Sequence, residues 1–447
     1  GGNNVSGIIS VDQTWTEAGS PFTVTGNVLV SSGVTLTIEA GVTVKFDSEK
    51  SLQINGELIA QGTSSNKITF TSNQSSPAAG DWGGIKFTDS SNDAVYDEDD
   101  NYISGSIIQY SIIKYSGGSV DAAVIIDSAH PYILNNLITK SSSQGIYATN
   151  LGGDFSNEGL FFIKNNTISN NNNTGIEISV GNVDLTIRIT NNKIIDNTSS
   201  SGDAGGIRLT MGGASPAADA YISNNIIAGN TGYSSGGIYF RSWIFSFVSI
   251  TNNSFYDNTA NVAGSGSAIW GRRSRTSYGT SVPTNFDENT FTNHQGNNLV
   301  YFDEGNVSSY LDIDLNDNNY IGNQTDYIIY QSGGASVDAE SNYWGTTTES
   351  EIQTKIYDWN DDGSLGIVDY DPWLTTPNTD APISPPINVA KQASGGNVVL
   401  TWDANPESDV AGYKIHYGNF TGYSYTTNTD LGNVTTYTLS GVSIDSS

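Results

Sequence analysis

The chain has 447 residues, and 46 acidic against 17 basic residues give a formal net charge of -29. A surface that acidic repels phosphate backbones and anionic membrane faces, so nucleic-acid partners are excluded and divalent cations are favoured. There is no cysteine, so neither disulfides nor thiolate metal sites hold the fold, and no stretch reaches the apolar length of a membrane span.

The opening Gly1-Gly2-Asn3-Asn4 is not a secretory leader; such a leader is expected to have been removed or to lie upstream. From residue 22 the chain reads as short strands. Val34-Thr-Leu-Thr-Ile-Glu-Ala-Gly-Val-Thr-Val-Lys-Phe46 leads to Leu52-Gln-Ile-Asn-Gly56, a segment from Gly62 to Phe70, and Asp81-Trp82-Gly83-Gly84-Ile85. Patterns at helical spacing are missing. Glycine, tyrosine, Asn, Ser and Thr dominate between bursts of Ile, Val, Leu and Phe, which predicts an all-β chain.

Two phrases then alternate. One is apolar-x-Asn-Asn-x-apolar, seen at Ile133–Ile138, Ile163–Ile168, Ile189–Ile194, Ile222–Ile227 and Ile250–Phe255, with weaker echoes at Asp287–Phe291 and Asn318–Ile321. The other is Gly-Ile-x-apolar, whose isoleucines fall at 146, 176, 207, 238 and 269, steps of 30, 31, 31 and 31 residues. A fixed period of that size marks a stacked repeat. No turn of about 31 residues can bury its own apolar face, so equivalent residues must lie over one another, about 4.8 Å apart along an axis. Asn suits a corner in two ways: it tolerates the left-handed conformation, and stacked Asn side chains form hydrogen-bonded ladders. Separate sandwiches need hairpin turns every eight to twelve residues or so, which a steady 31-residue step does not supply. The expectation is a right-handed parallel β-helix over residues 1–376.

The strand phrases of residues 34–88 resemble the opening coils of secreted bacterial right-handed parallel β-helix proteins of pectate-lyase-like architecture. Asn342-Tyr343-Trp344-Gly345 and Gly366 to Trp373-Leu374 resemble their final turns, where aromatic residues close the end of the core. The resemblance implies an extracellular, secreted or cell-surface protein. It also implies a lateral face on which many lyases and hydrolases of this fold act on polysaccharides.

Pro377 to Pro386 reads as a stiff extended linker. Beyond it, Val398–Trp402, Ala411–Tyr417 and Thr436–Val442 resemble the opening strands of a fibronectin type III domain, with Trp402 as its core tryptophan. Residues 387–447 would form an incomplete β-sandwich of that kind, and the chain is expected to continue past Ser447.

Aligning the turns on the Gly-Ile phrase puts Tyr147, Glu177, Arg208, Tyr239 and Trp270 in one outward column. Thr149, Ser179, Thr210, Arg241 and Arg272 fall in a second. Aromatic rings offer platforms for sugar faces, and guanidinium forks bind carboxylate or sulfate. Tyr147, Glu177, Arg208, Tyr239, Arg241, Trp270 and Arg272 are therefore candidates for a groove that takes an acidic glycan. The alternative is a surface ladder in which Glu177 pairs with Arg208 while Tyr239 and Trp270 pack on their neighbours. Hydrolysis needs two carboxylates about 5–10 Å apart, and Glu177 has no acidic neighbour in its column. A glycan-binding, structural or adhesive role leads. A polysaccharide lyase using Arg208, Arg241 or Tyr239 is the alternative. His130, His294 and His416 are scattered, and His130 reads as structural.

Calcium is the one cofactor suggested. Asp358-Trp-Asn360-Asp361-Asp362-Gly363 resembles a short Ca²⁺ turn with Asp358, Asn360 and Asp362 as ligands, although it lacks the full EF-hand loop and its closing Glu. Asp97–Asn101 and the group Asp312, Asp314, Asn316 and Asp317 are weaker acidic candidates that also read as solvated loops.

Overall fold

A computed structural model describes residues 3–118, 122–151, 159–212, 217–243, 246–262, 264–274, 284–303, 313–420 and 425–441. The chain winds into a right-handed parallel β-helix with three faces. One winding illustrates the plan: Tyr132–Leu134 lies on face 1, Leu137–Thr139 on face 2 and Gln144–Leu151 on face 3. Face 1 is a continuous 13-stranded sheet; faces 2 and 3 merge into one 23-stranded sheet because Phe22–Val30 pairs along both.

The expected isoleucine column is present. Ile146, Ile176, Ile207, Ile238 and Ile269 are successive register partners, and each is 0% exposed. The column runs on through Val124 and Ile85 in one direction and Val300, Ile329 and Ile356 in the other. Side chains alternate inward and outward, so a single apolar core extends from Ile9 to Val368.

The Asn-Asn phrase divides its labour. Its first residue sits in the left-handed region at Asn135, Asn165, Asn191, Asn224 and Asn252, with φ of 56–58°, and makes the corner between faces 1 and 2. Its second residue points inward. Asn136, Asn166, Asn192, Asn225, Asn253, Asn289, Asn318 and Asn342 form a buried ladder in which each Nδ2 donates to the next Oδ1 at 2.9–3.2 Å. Each Oδ1 also accepts the backbone N–H of the rung before, as Asn225 does from Asn192 at 2.9 Å. Backbone groups that turn inward at the corner are thereby satisfied without water.

A second ladder stands at the corner between faces 2 and 3. Asn171, Asn197, Asn230 and Asn258 repeat the same bonding, each after a left-handed residue: Asn170, Asp196, Gly229 and Asp257. His294 occupies the next rung. Its backbone N–H donates to Asn323 Oδ1 (3.0 Å), Nδ1 lies 3.2 Å from the same oxygen, and Nε2 lies 3.4 Å from Asn258 Nδ2. That geometry requires a neutral ring protonated at Nδ1, and burial pulls the imidazole down to about 4.

Aromatic residues close the C-terminal end. Trp344 is fully buried against Tyr320 (5.2 Å) and meets Tyr370 edge to face (6.4 Å), which packs on Trp373. The Pro-rich segment is not a free spacer. Asn319 and Asn378 exchange side chain-to-backbone hydrogen bonds at 2.8 Å each, Asn378 Nδ2 donates to Asp317 O at 2.8 Å, and Thr290 Oγ1 donates to Pro382 O. The segment therefore runs back over face 2. After it, Ala390–Ser394, Asn397–Thr401 and Thr436–Ser440 make one antiparallel sheet, and Tyr413–Phe420 with Tyr425–Gly432 makes a hairpin. Between them lies a cavity of about 420 Å³ lined by residues that include Val389, Leu400, Trp402, Tyr413 and Leu431.

Two outcomes follow from the ladders. Asn225→Ala strands Asn192 Nδ2 and the carbonyls of Ile189 and Ser223 inside the coil, and urea unfolding is expected to show a loss of about 3 kcal/mol. His294 has a depressed folded pKa, so its stabilising effect is complete above the unfolded value of about 6.5 and is lost as pH falls toward about 4. Replacing it with the ladder's own residue, His294→Asn, should remove that increment of pH dependence. The check is the difference in urea midpoint between the two proteins at pH 7 and at pH 4.5.

Candidate functional site

Face 3 brings the seven candidate residues together. Tyr147, Glu177, Arg208, Tyr239 and Trp270 are successive register partners in one outward file. Arg241 and Arg272 are partners in the second file, next to Thr210. Alternation about the inward isoleucines places them there.

The file is less open than its sequence suggests. Tyr239 and Trp270 stack with centroids 4.4 Å apart and planes 3° off parallel, and they are 9% and 8% exposed. With Ala204 they form a small cluster outside the main core. Ala204 belongs to a ridge of loops in which Thr198 pairs with Thr231, Thr231–Gly232 with Thr259–Ala260, Ala204 with Ser235, and Ser235 with Gly266. The ridge also delivers Asp203. Arg208 donates from Nε to Asp203 (2.9 Å) and from Nη1 to Glu177 (3.0 Å), and its guanidinium lies 5.7 Å from the Tyr239 ring centroid. Glu177 therefore has an acidic neighbour after all, from a loop rather than from its own column, and the guanidinium between them bridges both carboxylates. Gln144 Nε2 donates to the second oxygen of Glu177 at 2.9 Å.

Burial pulls the Arg208 guanidinium down, but the hydrogen bond to Asp203 and the charges of Glu177 and Asp203 more than offset it and hold the group above its ordinary value. Burial and the Asp203 carboxylate raise the Tyr239 phenol, against a partial pull from Arg208, Arg241 and Arg272. Arg272 pairs with Asp303 and lies 5.5 Å from the Trp270 centroid. Arg241 differs: it is exposed and has no ion pair or hydrogen bond among the described residues.

The same file continues where the Gly-Ile phrase has lost its glycine. Trp270 is followed by Tyr301, Tyr330 and Tyr357 in register. Tyr301 stacks on Tyr330 at 5.1 Å and Tyr330 on Tyr357 at 4.4 Å, with Tyr327 edge-on to both Tyr330 and Tyr357. These rings are half-buried. The signal available in the sequence was an apolar residue followed by tyrosine, at Val300-Tyr301, Ile329-Tyr330 and Ile356-Tyr357.

The acidic candidates are occupied with their own backbones. Asp358 is 2% exposed; one oxygen accepts from Asn360 N (2.9 Å) and Nδ2 (3.1 Å), the other from Val368 N (2.9 Å). Asp362 accepts from Ser364 N and Oγ, which holds its carboxyl below the usual range. Asp97 accepts from the backbones of Asp99 and Asn101, and Asp100 pairs with Arg188. Those bonds hold a hairpin, Val95–Tyr96 with Tyr102–Ser104, over an outward apolar patch of Ile107, Tyr132 and Phe162 on face 1. Asp312 lies outside the described residues. Asp314 stacks in register with Asp338, and Asp338 with Asp369. Burial, with Asp314, Asp317 and Glu288 nearby, pushes Asp287 up to about 6. Among the described residues no three His, Cys, Asp or Glu side chains converge as a metal site, and no helix is long and apolar enough to cross a membrane.

Comparison with known proteins agrees with the winding. Residues 7–127 match the family profile described as a pectate-lyase-like β-helix domain. No curated protein and no solved structure matches the chain.

Burial at Tyr239 and Trp270 has a measurable consequence. Trp270→Ala should cost about 3 kcal/mol in urea unfolding, as expected for emptying a packed aromatic site. A ring that served only as an open ligand platform would leave the unfolding midpoint unchanged.

Proposed function

We propose that this protein is an extracellular or cell-surface β-helix rod that binds an acidic polysaccharide along face 3, with Arg241 as the anion contact and Tyr301 and Tyr330 as ring surface further along the face. The observation that carries this reading is the exposed Arg241 guanidinium, without an ion pair among the described residues, on a chain of net charge -29. Five of the six arginines fall between residues 208 and 275. An isolated guanidinium in a negative field attracts carboxylate or sulfate and offers a planar fork to it. The phenols of the tyrosine file, further along the same face, supply hydroxyl donors and acceptors for sugar hydroxyls.

The lyase alternative has less support. Arg208 and Arg272, which would serve as charge-neutralising groups, are already ion-paired with Glu177, Asp203 and Asp303. Tyr239, the other candidate base, is buried with its phenol raised. These groups stabilise the face and leave binding to its exposed members.

An array of acidic and neutral polysaccharides tests this reading. Retention of one or more uronate or sulfated chains is expected, weakened about tenfold in Arg241→Ala, which corresponds to the loss of about 1.4 kcal/mol. Equal retention by both proteins, or none of any acidic chain, rejects it. Release of unsaturated uronates, followed by their ultraviolet absorbance, would put the lyase in its place.

A further inference from the structure

We propose that Tyr357 and Trp359, at the C-terminal end of face 3, form a subsite for an uncharged sugar ring. This goes beyond the acidic-chain reading and does not depend on Arg241.

The last strand of the face is Ile356–Tyr357, and Trp359 opens the turn that follows it. Ile356 (4% exposed) and Asp358 (2%) are buried, Tyr357 is half-buried and Trp359 is 52% exposed, so the two rings reach the surface two residues apart in the chain. Tyr357 ends the stacked file. One face of its ring lies parallel on Tyr330 at 4.4 Å and 3°, Tyr327 meets it edge-on at 5.3 Å, and no further ring lies against it among the described residues. A stack of flat rings that ends in a half-exposed ring can be extended by one more flat, partly apolar ring. The C–H face of a pyranose meets that need, because its slightly positive hydrogens complement the negative face of the π system.

The main chain that carries Trp359 is held in place: its backbone N–H donates to Gly366 O at 3.0 Å. The residue before it is fixed from both sides: Asp358 O accepts from Asp361 N and Asp362 N at 3.0 Å, and the Asp358 carboxylate accepts from Asn360 N and Val368 N. The turn whose acidic residues suggested calcium thus also sets the main chain from which the indole reaches the surface. Gly363, with no side chain, lies beside the indole N–H, and Ile367, 48% exposed, follows the Gly366 that anchors it. Trp359 is the one tryptophan in the exposed class among the described residues.

Charge selects the occupant. Asp361 and Asp362 are both exposed on the same turn, and hydrogen bonds from Ser364 keep Asp362 ionised. Those carboxylates repel a uronate and accept hydrogen bonds from the hydroxyls of a neutral ring.

Calorimetric titration of the whole chain with neutral gluco-, manno- and galacto-oligosaccharides tests the subsite. At least one is expected to bind, with a change in indole fluorescence. Affinity should fall tenfold or more in Trp359→Ala, fall less in Trp359→Phe and be unaffected in Arg241→Ala. The unfolding midpoint of Trp359→Ala should match the parent, since the side chain is half in solvent. Absence of binding by every neutral oligosaccharide, or equal affinity in Trp359→Ala, overturns the proposal. Acidic chains that bind and are lost only with Arg241→Ala would leave the strip standing without this subsite.

Discussion

A coil of parallel strands must bend sharply at every corner, and each bend turns backbone N–H and C=O groups toward a dry interior. Two buried files of asparagine answer that constraint here. A carboxamide has both a donor and an acceptor, so an Asn stacked on an Asn passes hydrogen bonds along the axis and still serves the backbone beside it. A left-handed residue ahead of each rung supplies the bend. The apolar columns could slide in register without much penalty, because one isoleucine packs about as well on another. The asparagines cannot, since a slip would strand buried polar groups. Winding register, and with it the placement of every outward side chain, therefore rests on the ladders.

Face 3 shows what that register does with outward residues. Rings fall on rings and guanidinium groups on carboxylates, so much of the chemistry in the file is turned upon itself. Stacking of Tyr239 on Trp270 uses ring faces that would otherwise be free, and Glu177 and Asp203 both bond to the Arg208 guanidinium. This mutual satisfaction stops at Arg241 and at the last ring of the tyrosine stack, the two places where binding is proposed.

Much of the winding was legible from spacing alone, because each turn must present like residues at like places. The isoleucine column, the outward file and the Asn-Asn corner all follow from the 31-residue step. The second asparagine ladder was harder to see. Its members lie five residues after those of the first, but the intervening residues vary and His294 replaces one rung. The tyrosines at 301, 330 and 357 escaped because the marker glycine disappears there and the step shortens from 31 to 29 and then 27 residues. Asp203 could not be placed on Arg208 from sequence, since a loop of irregular length carries it. The Pro-rich segment read as a spacer because its composition reports stiffness, whereas its attachment depends on Asn378 meeting Asn319 across a distance that local sequence does not encode.

That attachment also governs how the rod carries mechanical load. A pull applied to the C-terminal strands travels first along the segment from Asn378 to Pro382, which grips the flank of the coil at Asp317, Asn319 and Thr290. Tension enters through several bonds on neighbouring windings before it reaches the tryptophan-capped last turn. Peeling of that turn, the easiest way to unwind a solenoid from its end, is thereby deferred until the clasp gives way.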